Sequence, residues 1–490
     1  MKTIELGMKK MIPNWIEQRT SLTPHRVALT FQDEKWTYEQ LSEQSKYYAG
    51  AIKAAGLHEG QRVAIFGRST PHLIRTIFAC MQLRIEMVLL NLRLTEAELA
   101  YQIQDAQVDA LLVDDDLVEQ LPSTHKLQIL FSDLMTSQEK AEVIKHWSRD
   151  ETMTIMYTSG TTSQPKGVRQ TIGNHMASAT SALYNTGLVE DEGWICTVPI
   201  FHISGFSMLC KCILHGVRLD LYEKYTVEEV ALQLIEGTAT RMSAVAVMLE
   251  KLVSYIEEQG QRVSPNFQLL LVGGGPVPKS YLTRAEAIDL RVAQTYGMTE
   301  TASQVATLSS KDALRKVGSV GKPLMFNEIC IAGAERPFDH GEICVRGDSV
   351  TPGYVGQHAH IKTQVDGFLH TGDIGYFDDE GYLYVADRRS DLIISGGENI
   401  YPAEIENVLA GHPHIAAVGV CGVQDEIWGQ VPAAFIMSKE TTLNAETILA
   451  FCEDKLAKYK LPKQIHFVEE LPRNGTGKLL RRKLVELIPK

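Results

Sequence analysis

Short apolar strands that alternate with helical segments are the feature that most constrains the fold of this chain. Residues 63–67 and 87–90 are apolar runs with the length of buried strands, and residues 70–81 between them have a helical pattern. The arrangement repeats with a helical pattern over 96–105 and an apolar run over 110–113. Strands that alternate with helices at this spacing predict a doubly wound α/β sheet.

The rest of the chain divides into regions with different predicted secondary structure. Further predicted elements of the first region are a helix from Trp15, strands at 27–31 and 35–38, a helix over 39–55, a variable connection over 115–150, a strand at 153–157, a helix capped by Asn174, a strand at 194–198 and another α/β round over 206–272. Residues 315–387 switch to short strands with turns, which predicts a small β-barrel-like subdomain. We therefore predict an N-terminal domain over 1–389 and a small α+β C-terminal domain over 390–490, a size that folds alone.

Within the C-terminal domain the strand and helix pattern is shorter. A helix begins at Pro402, a favourable residue for a first turn, and ends near Gly411. Strands at 417–421 and 433–437 and a helix over 445–456 follow. The short basic run of Arg481, Arg482 and Lys483 is expected to be a solvated helix face.

Composition limits the kind of partner that the chain can have. Its 490 residues require two or more domains, and a net charge of −12 argues against nucleic-acid binding. The N-terminus lacks the apolar run of a signal peptide, and no stretch is apolar enough to cross a bilayer. The eight cysteines match no metal or redox motif, so buried free thiols are expected. We predict a cytoplasmic protein without membrane insertion; the oligomeric state stays open, with a homo-oligomer as one alternative.

A loop of small and hydroxylated residues follows the predicted strand at 153–157. It runs from Thr158 to Gly167, and its candidate ligands are Thr158, Ser159, Gly160, Thr161, Thr162 and Lys166. Such a loop can wrap phosphate oxygens with backbone N–H groups and hydroxyls, while the lysine supplies a positive charge. The alternative is a flexible surface loop. The stretch is not a Walker P-loop, which requires G-x-x-x-x-G-K-[ST].

Two later turns carry further groups that suit a nucleotide. An apolar strand at 269–272 ends in a glycine turn that includes Gly274 and Gly275, and ligands bind beyond such strand ends in open α/β sheets. A plain tight turn is the alternative. In the second turn Tyr296, Gly297, Thr299 and Glu300 place an aromatic ring, a close backbone approach, a hydroxyl and a carboxylate within five residues. This combination can stack a base, approach a phosphate and hold Mg²⁺.

These motifs, in this order, resemble those of the adenylate-forming superfamily of acyl-CoA synthetases, adenylation domains and luciferases. The loop at 158–167 is similar to the family's nucleotide-binding signature, with Ser163 where the family usually has glycine. The resemblance implies that Tyr296 stacks on adenine, Thr299 contacts the α-phosphate and Glu300 binds Mg²⁺. It also implies that Asp373, in Thr-Gly-Asp, and Arg388 hold the ribose.

The resemblance extends into the C-terminal domain. It implies a hinge at Ser390, where the family more often has Asp or Lys, and a pantetheine channel at Gly396 and Gly397. Lys478, in Asn-Gly-Thr-Gly-Lys, matches the family's catalytic adenylation lysine, which offsets the repulsion between a carboxylate and a phosphate. From local sequence alone, a polar turn before a basic helix is the alternative for this lysine.

Three stretches resemble one branch of the superfamily, the 2-succinylbenzoate–CoA ligases of menaquinone biosynthesis. They are residues 170–175, 199–205 and 297–304. In that branch His202 and Gly205 would border the acyl pocket. The candidates to hold the second carboxylate of the substrate, by hydrogen bonds or through waters, are His202, Thr301, Ser303 and Gln304. From local sequence alone, a core histidine is the alternative for His202.

The resemblance therefore implies an ATP- and Mg²⁺-dependent ligase that first forms an acyl-adenylate and pyrophosphate, and then transfers the acyl group to CoA. Its small-molecule substrates would be ATP, 2-succinylbenzoate and CoA. The alternatives are an acyl- or aryl-CoA ligase for another acid, a non-catalytic nucleotide-binding relative and a luciferase-like oxygenase.

Overall fold

The fold is built from parallel α/β layers followed by antiparallel strands. A computed structural model describes residues 11–488 apart from 159–163, 188–190, 276, 389–390, 396–397, 426–427, 441–442, 454, 457 and 475–476, and it gives only the backbone of residues 387, 388, 394, 398 and 399. All structural statements below concern these described residues.

The helices of the described chain are α1 Trp15–Leu22, α2 Tyr38–Ala54, α3 Pro71–Leu83, α4 Glu96–Asp105, α5 Phe131–Met135, α6 Ile172–Thr186, α7 Ile203–His215, α8 Val227–Glu236, α9 Ala246–Glu258, α10 Lys279–Ala287, α11 Pro402–Ala410 and α12 Ala445–Glu453. Their ends follow local chemistry. Thr37 and Thr95 form capping boxes with Gln40 and Glu98. Gly216, in the left-handed region, ends α7.

The strands are β1 Met11–Pro13, β2 Val27–Phe31, β3 Glu34–Thr37, β4 Arg62–Phe66, β5 Glu86–Leu89, β6 Ala110–Val113, β7 Leu127–Leu130, β8 His146–Ser148, β9 Thr152–Thr158, β10 Lys166–Thr171, β11 Gly193–Cys196, β12 Arg218–Leu221, β13 Arg241–Ala244, β14 Leu269–Val272, β15 Val292–Met298, β16 Ser303–Leu308, β17 Ser319–Pro323, β18 Asn327–Ile331, β19 Gly341–Gly347, β20 Gly353–Tyr354, β21 Gln364–Val365, β22 Phe368–Phe377, β23 Leu383–Arg388, β24 Ile393–Ser395, β25 Glu398–Ile400, β26 Ile415–Asp425, β27 Gly429–Ser438 and β28 Gln464–Phe467.

Two large sheets form the N-terminal part. The first has the order β20-β10-β9-β5-β4-β6-β7, and the second has the order β18-β19-β22-β23-β17-β16-β15-β14-β13-β11-β12-β2-β3. In the first, β9, β5, β4, β6 and β7 are parallel. In the second, β11 to β15 and β2 are parallel. The predicted doubly wound α/β architecture is confirmed.

One apolar core joins the two sheets. It contains Ile65 and Met87 from the first sheet, Trp194 and Leu219 from the second, and the buried faces of α3 and α7. Helix α3 is buried around nearly its whole circumference, and its buried residues include the polar side chains of Arg75, Thr76 and Gln82. The two sheets are thereby fixed relative to each other at the edge that carries the candidate site.

Residues 115–150, for which no element was predicted, contain β7, which extends the first sheet beside β6. One local prediction is wrong. The N-cap of α6 is Thr171 rather than Asn174, which occupies the third helical position and completes the capping box. The predicted β-rich region is present, and it continues the second sheet because β17 pairs with β16.

The small C-terminal sheet has the order β25-β24-β27-β26, with β28 parallel to β27. Ile393, Ile405, Leu409 and Ile436 are among the residues of its own apolar core. Arg481 departs from the expected solvated face, because its guanidinium donates to Glu406 at 2.6 Å. None of the described helices combines the length and apolar character needed to cross a bilayer.

Candidate active site

The candidate site lies where the carboxyl ends of the parallel strands of both sheets meet. Loops from the two edges touch directly, because the Ile200 N–H donates to Ser69 Oγ at 3.3 Å. The amide of Gln170 in the first sheet also donates to the carbonyl of Thr299, which follows β15 of the second sheet, at 2.6 Å. Such an edge is where open α/β sheets bind ligands.

Thr158 and Lys166 stand at the two ends of the predicted phosphate loop. They are paired residues of the β9–β10 hairpin, so the loop between them starts and ends at one place. Lys166 Nζ lies 5.4 Å from the ring centroid of Tyr354, a cation–π contact. The Tyr354 hydroxyl donates to Glu300 Oε1 at 3.2 Å. Tyr354 therefore touches both the lysine of the phosphate loop and the predicted metal ligand.

Burial and the nearby Glu300 carboxylate raise the pKa of Tyr354 well above its ordinary value. The hydroxyl therefore remains protonated near neutral pH and acts as a hydrogen-bond donor to Glu300.

A tight turn presents Thr299 and Glu300. Gly297 precedes it, and a Cβ there would lie 1.9 Å from the Ser303 carbonyl oxygen, so only glycine fits. The chain then turns through Ala302 and Ser303, both with positive φ. The Glu300 carbonyl accepts from Thr351 N–H at 2.8 Å, which anchors the turn to the segment before β20.

Tyr296 and Asp373, the predicted adenine and ribose residues, are in contact. The Tyr296 hydroxyl donates to Asp373 Oδ2 at 2.7 Å, and both residues are buried. Asp373 is also the register partner of Arg388 in the β22–β23 pair. The structure thus places the backbones of the predicted ribose pair side by side; the Arg388 side chain lies outside the described part of the chain.

The glycine turn and the C-terminal lysine loop share a neighbour, Val245. A Cβ built on Gly274 would lie 3.7 Å from Val245 Cγ1, and one built on Gly477 would lie 4.0 Å from Val245 Cγ2. Gly274 has a φ of +83°, which favours glycine at this turn. Gly275 is exposed. The loop that carries Lys478, which follows Gly477, therefore lies against the nucleotide edge of the N-terminal domain.

His202 is the N-cap residue of α7 and packs against Phe201 with ring centroids 4.7 Å apart. Burial lowers the pKa of His202 to about 4, with a smaller contribution from the positive charge of Arg93. Its Nε2 atom is buried and has no hydrogen-bond partner among the described residues. The imidazole is therefore neutral and keeps one ring nitrogen available to a ligand.

The other predicted acyl-pocket residues differ in what they can offer. Gly205 lets the start of α7 pack closely against the preceding loop, because a Cβ there would lie 2.3 Å from the Pro199 carbonyl oxygen. The Thr301 hydroxyl is engaged with the backbone of Met298 and Ser303 at 2.7–3.0 Å, so its predicted direct contact with substrate is not supported. Ser303 is half-buried, and its hydroxyl accepts from Ser207 at 3.2 Å.

A chain of buried polar side chains is hydrogen-bonded to the turn that carries Thr299 and Glu300. His175 Nε2 lies 2.8 Å from Thr154 Oγ1, which donates to the side-chain oxygen of Gln170 at 2.8 Å. Gln170 in turn donates to the Thr299 carbonyl. Burial lowers the pKa of His175 to about 3, so this histidine is neutral. The chain fixes the turn that carries Thr299 and Glu300.

Two family models match this chain. The model described as AMP-binding enzyme matches residues 16–355, and the one described as AMP-binding enzyme C-terminal domain matches residues 404–478. The chain belongs to the AMP-binding enzyme family. The resemblance to adenylate-forming enzymes is thereby confirmed.

Members of this family that are similar over the whole length include 2-succinylbenzoate–CoA ligases. A 2-succinylbenzoate–CoA ligase from Bacillus cereus is 45% identical over 486 residues, covering 98% of this chain and 99% of that protein. The o-succinylbenzoate CoA synthetase from Bacillus subtilis, in complex with the acyl-adenylate intermediate OSB-AMP, is 40% identical with a TM-score of 0.91. That match covers 97% of this chain and 98% of that chain.

The same Bacillus subtilis enzyme has been solved in complex with ATP and magnesium ion. It is 40% identical to this member of the family, with a TM-score of 0.91, and the match covers 97% of this chain and all of that chain.

Several predicted residues of this family member lie outside the described residues. They are Ser159, Gly160, Thr161 and Thr162 of the phosphate loop, Ser163, which stands where the family usually has glycine, Ser390 at the predicted hinge, and Gly396 and Gly397 of the predicted CoA channel. Their roles stay predictions.

Two residues were missed as functional candidates: Tyr354, which touches the site, and Arg93, whose charge acts on His202. Tyr354 is 54 residues from Glu300, and Arg93 is more than a hundred residues from His202, so no local pattern joins them. The one usable signal was an aromatic residue after glycine in the β-rich region, which is common in strands and turns.

Proposed function

We propose that this chain is an ATP-dependent acid–CoA ligase that converts 2-succinylbenzoate into 2-succinylbenzoyl-CoA, a step of menaquinone biosynthesis. The observation that carries this proposal is full-length similarity. Relatives named 2-succinylbenzoate–CoA ligase are 45% identical over 98% of the chain, and this span includes every segment at the candidate site.

In the first half-reaction the succinyl carboxylate oxygen attacks the α-phosphorus of ATP, and the bond to pyrophosphate breaks. Tyr296 and Asp373 hold adenine and ribose, and the loop from Thr158 to Lys166 holds the phosphates. Lys478 approaches from the C-terminal domain and offsets the repulsion between the two anions. The position of Gly477 near Val245 supports this role, because it brings the lysine loop to the nucleotide edge.

The chemistry of the site suits Mg²⁺ at Glu300. Magnesium is usually bound by one or two carboxylates together with substrate phosphates, and it keeps several waters. Glu300 is a half-buried carboxylate on the same edge as Lys166, which fits that requirement. When bound, the ion neutralises phosphate charge; Glu300 orients it, and Thr299 contacts the α-phosphate.

In the second half-reaction the CoA sulfur attacks the activated carbonyl carbon, the bond to the adenylate oxygen breaks, and AMP leaves. We assign the change between the steps to a rotation of the C-terminal domain about Ser390. This rotation withdraws Lys478 and brings Gly396 and Gly397 to the thiol channel. One site thereby serves two reactions.

The second carboxylate of the substrate needs polar partners when it is buried. His202 offers an unpartnered ring nitrogen, and Ser303 offers a half-buried hydroxyl. The positive charge of Arg93 makes a small further contribution to lowering the pKa of His202. His202 and Ser303, rather than Thr301, are the proposed contacts. The Gln304 amide nitrogen is also buried without a partner among the described residues.

The enzyme is proposed to act in the cytoplasm, because all eight cysteines are free thiols, as in proteins of reducing compartments. A homo-oligomer is compatible with the proposal, since each group assigned a role above belongs to one chain.

The test is pyrophosphate release with ATP·Mg²⁺ and a panel of acids, namely 2-succinylbenzoate, benzoate and octanoate. We expect release with 2-succinylbenzoate alone among these acids and a CoA thioester of it when CoA is added. Release only with another acid would keep the ligase mechanism and reject the substrate. No release with any acid would reject the catalytic assignment.

A further inference from the structure

Tyr354 lies between two parts of the site, Lys166 and Glu300, that are far apart in the sequence. Its hydroxyl donates to Glu300 Oε1 at 3.2 Å, and its ring lies 5.4 Å from Lys166 Nζ. One half-buried side chain thus touches the lysine of the phosphate loop and the carboxylate proposed to bind magnesium.

The backbone around Tyr354 is fixed to both parts as well. Tyr354 pairs with Val168 in the β10–β20 ladder, and the Val355 N–H donates to the Gly167 carbonyl at 2.9 Å. On the other side, the Thr351 N–H donates to the Glu300 carbonyl at 2.8 Å. Residues 351–355 therefore form a strap between the base of the phosphate loop and the turn that carries Glu300.

Close packing leaves this strap little freedom. A Cβ at Gly167 would lie 2.7 Å from Val355 Cγ2, so the absence of a side chain there lets the strap lie directly on β10. Thr351 Oγ1 also donates to the Arg169 carbonyl. A shift of the strap would move the Tyr354 ring away from Lys166 and its hydroxyl away from Glu300 together.

We propose that Tyr354 is a positioning residue that joins Lys166 to Glu300, so that the phosphate loop and the metal-binding carboxylate meet ATP·Mg²⁺ as one unit. The inference rests on the proposed function, which assigns Lys166 to phosphate and Glu300 to magnesium. The hydroxyl orients the carboxylate, as outer hydrogen bonds commonly do for metal ligands. The ring face holds the lysine ammonium over the loop.

Two substitutions separate these contributions. Tyr354→Phe removes the hydrogen bond to Glu300 and keeps the ring under Lys166, whereas Tyr354→Leu removes both. Tyr157→Phe is the matched control, because it also removes a half-buried tyrosine hydroxyl bonded to a carboxylate, that of Asp105 at 2.8 Å, in strand β9 of the same sheet. The Tyr157 hydroxyl points to α4 rather than to the site.

The experiment measures ATP binding by calorimetry across a Mg²⁺ titration and in EDTA, with pyrophosphate release as a second readout. We expect Tyr354→Phe to raise the half-saturating Mg²⁺ concentration about tenfold and to leave metal-free ATP affinity unchanged. Tyr354→Leu should also weaken metal-free ATP binding several-fold. The Tyr157→Phe variant should match the wild type in both titrations.

An unchanged Mg²⁺ titration for Tyr354→Phe would overturn the link to Glu300, and equal metal-free affinities of the Phe and Leu variants would overturn the link to Lys166. These outcomes are distinct from failure of the proposed function. That failure would appear as a wild-type protein that binds ATP·Mg²⁺ but releases no pyrophosphate with 2-succinylbenzoate.

Discussion

At the scale of single residues, the groups at the candidate site are held by partners that are distant in sequence. Tyr296 and Asp373 are 77 residues apart and form a 2.7 Å hydrogen bond. The motif resemblance assigned each of them a role, adenine for one and ribose for the other. It gave no indication that the two side chains touch, because a contact of this kind depends on the pairing of β15, β16, β17, β23 and β22 across the sheet.

Lys478 gives the sharpest prediction at this scale. Lys478→Ala should lower adenylate formation by about a hundredfold or more, because a preorganised charge at the reacting phosphate is lost. Thioester formation from preformed acyl-adenylate should stay within a few-fold of the wild-type rate. Pyrophosphate release measures the first step, and CoA thioester formation from synthetic adenylate measures the second.

The control for this prediction is Lys483→Ala, which removes another lysine, exposed to solvent, from the same C-terminal segment. It should leave both steps unchanged. Equal losses in the two steps for Lys478→Ala would refute the assignment of this lysine to adenylation.

At the scale of secondary-structure elements, the buried chain from His175 to Thr154 and Gln170 ties α6, β9 and β10 to the turn at Thr299. Burial lowers the pKa of His175 from an ordinary value of 6.5 to about 3. The native state therefore requires neutral imidazole, whereas the unfolded chain takes up a proton below about pH 6.5. The free energy of unfolding is therefore not reduced by His175 above that pH, and it decreases as the pH falls toward 3.

We predict that the stability of the wild type declines as the pH falls from about 6.5 to about 4, with His175 contributing a slope of up to about 1.4 kcal/mol per pH unit. His175→Gln should reduce this slope without abolishing it, because the pKa of His202 and of His215 is also lowered to about 4 by burial. Urea unfolding midpoints at several pH values provide the measurement. His58→Gln, a change at an exposed position, serves as control. A pH slope for His175→Gln equal to that of the wild type would contradict the prediction.

The elements also show which features sequence can predict. Buried parallel strands such as β4 to β6 are found almost where their apolar runs place them, because both faces are covered. Strand β7 was missed because it lies at the sheet edge with two exposed residues, so its pattern resembles a loop. Thr171 and Asn174 both suit an N-cap, and only the reciprocal hydrogen bonds between them distinguish the cap from the third helical residue.

For the candidate site, prediction from sequence found the residues that lie in motifs and missed those that lie outside them. The motifs supplied Thr299, Glu300 and Lys478, whose neighbours in sequence are characteristic. Tyr354 has no such neighbours, and its importance depends on a contact between the two sheets. The hydroxyl of Thr301 bonds to the backbone of its own turn, in which Ala302 and Ser303 have positive φ, and sequence alone did not indicate this.

At the scale of the whole molecule, the position of the C-terminal domain suits the first half-reaction. A Cβ on Gly477 would lie 4.0 Å from a γ carbon of Val245, so cysteines at both positions have their side chains within reach of each other. We predict that the oxidised double variant Val245→Cys/Gly477→Cys releases pyrophosphate to the extent of one adenylate per site and forms little thioester.

The same variant treated with dithiothreitol is its own control and should recover thioester formation. Since Gly477 has a φ of +81°, the single variant Gly477→Cys reports separately on backbone strain. Equal thioester rates in the oxidised and reduced forms would show that the domain need not move between the steps.

The most direct test of the central claim uses 2-succinylbenzoate with both oxygens of the succinyl carboxylate replaced by ¹⁸O. After one turnover with ATP·Mg²⁺ and CoA, mass spectrometry of AMP reports which oxygen attacked the α-phosphorus. We predict AMP with one ¹⁸O atom and a thioester that retains the other. AMP without label, with both ¹⁸O atoms still in the organic product, would contradict attack by this carboxylate on the α-phosphate.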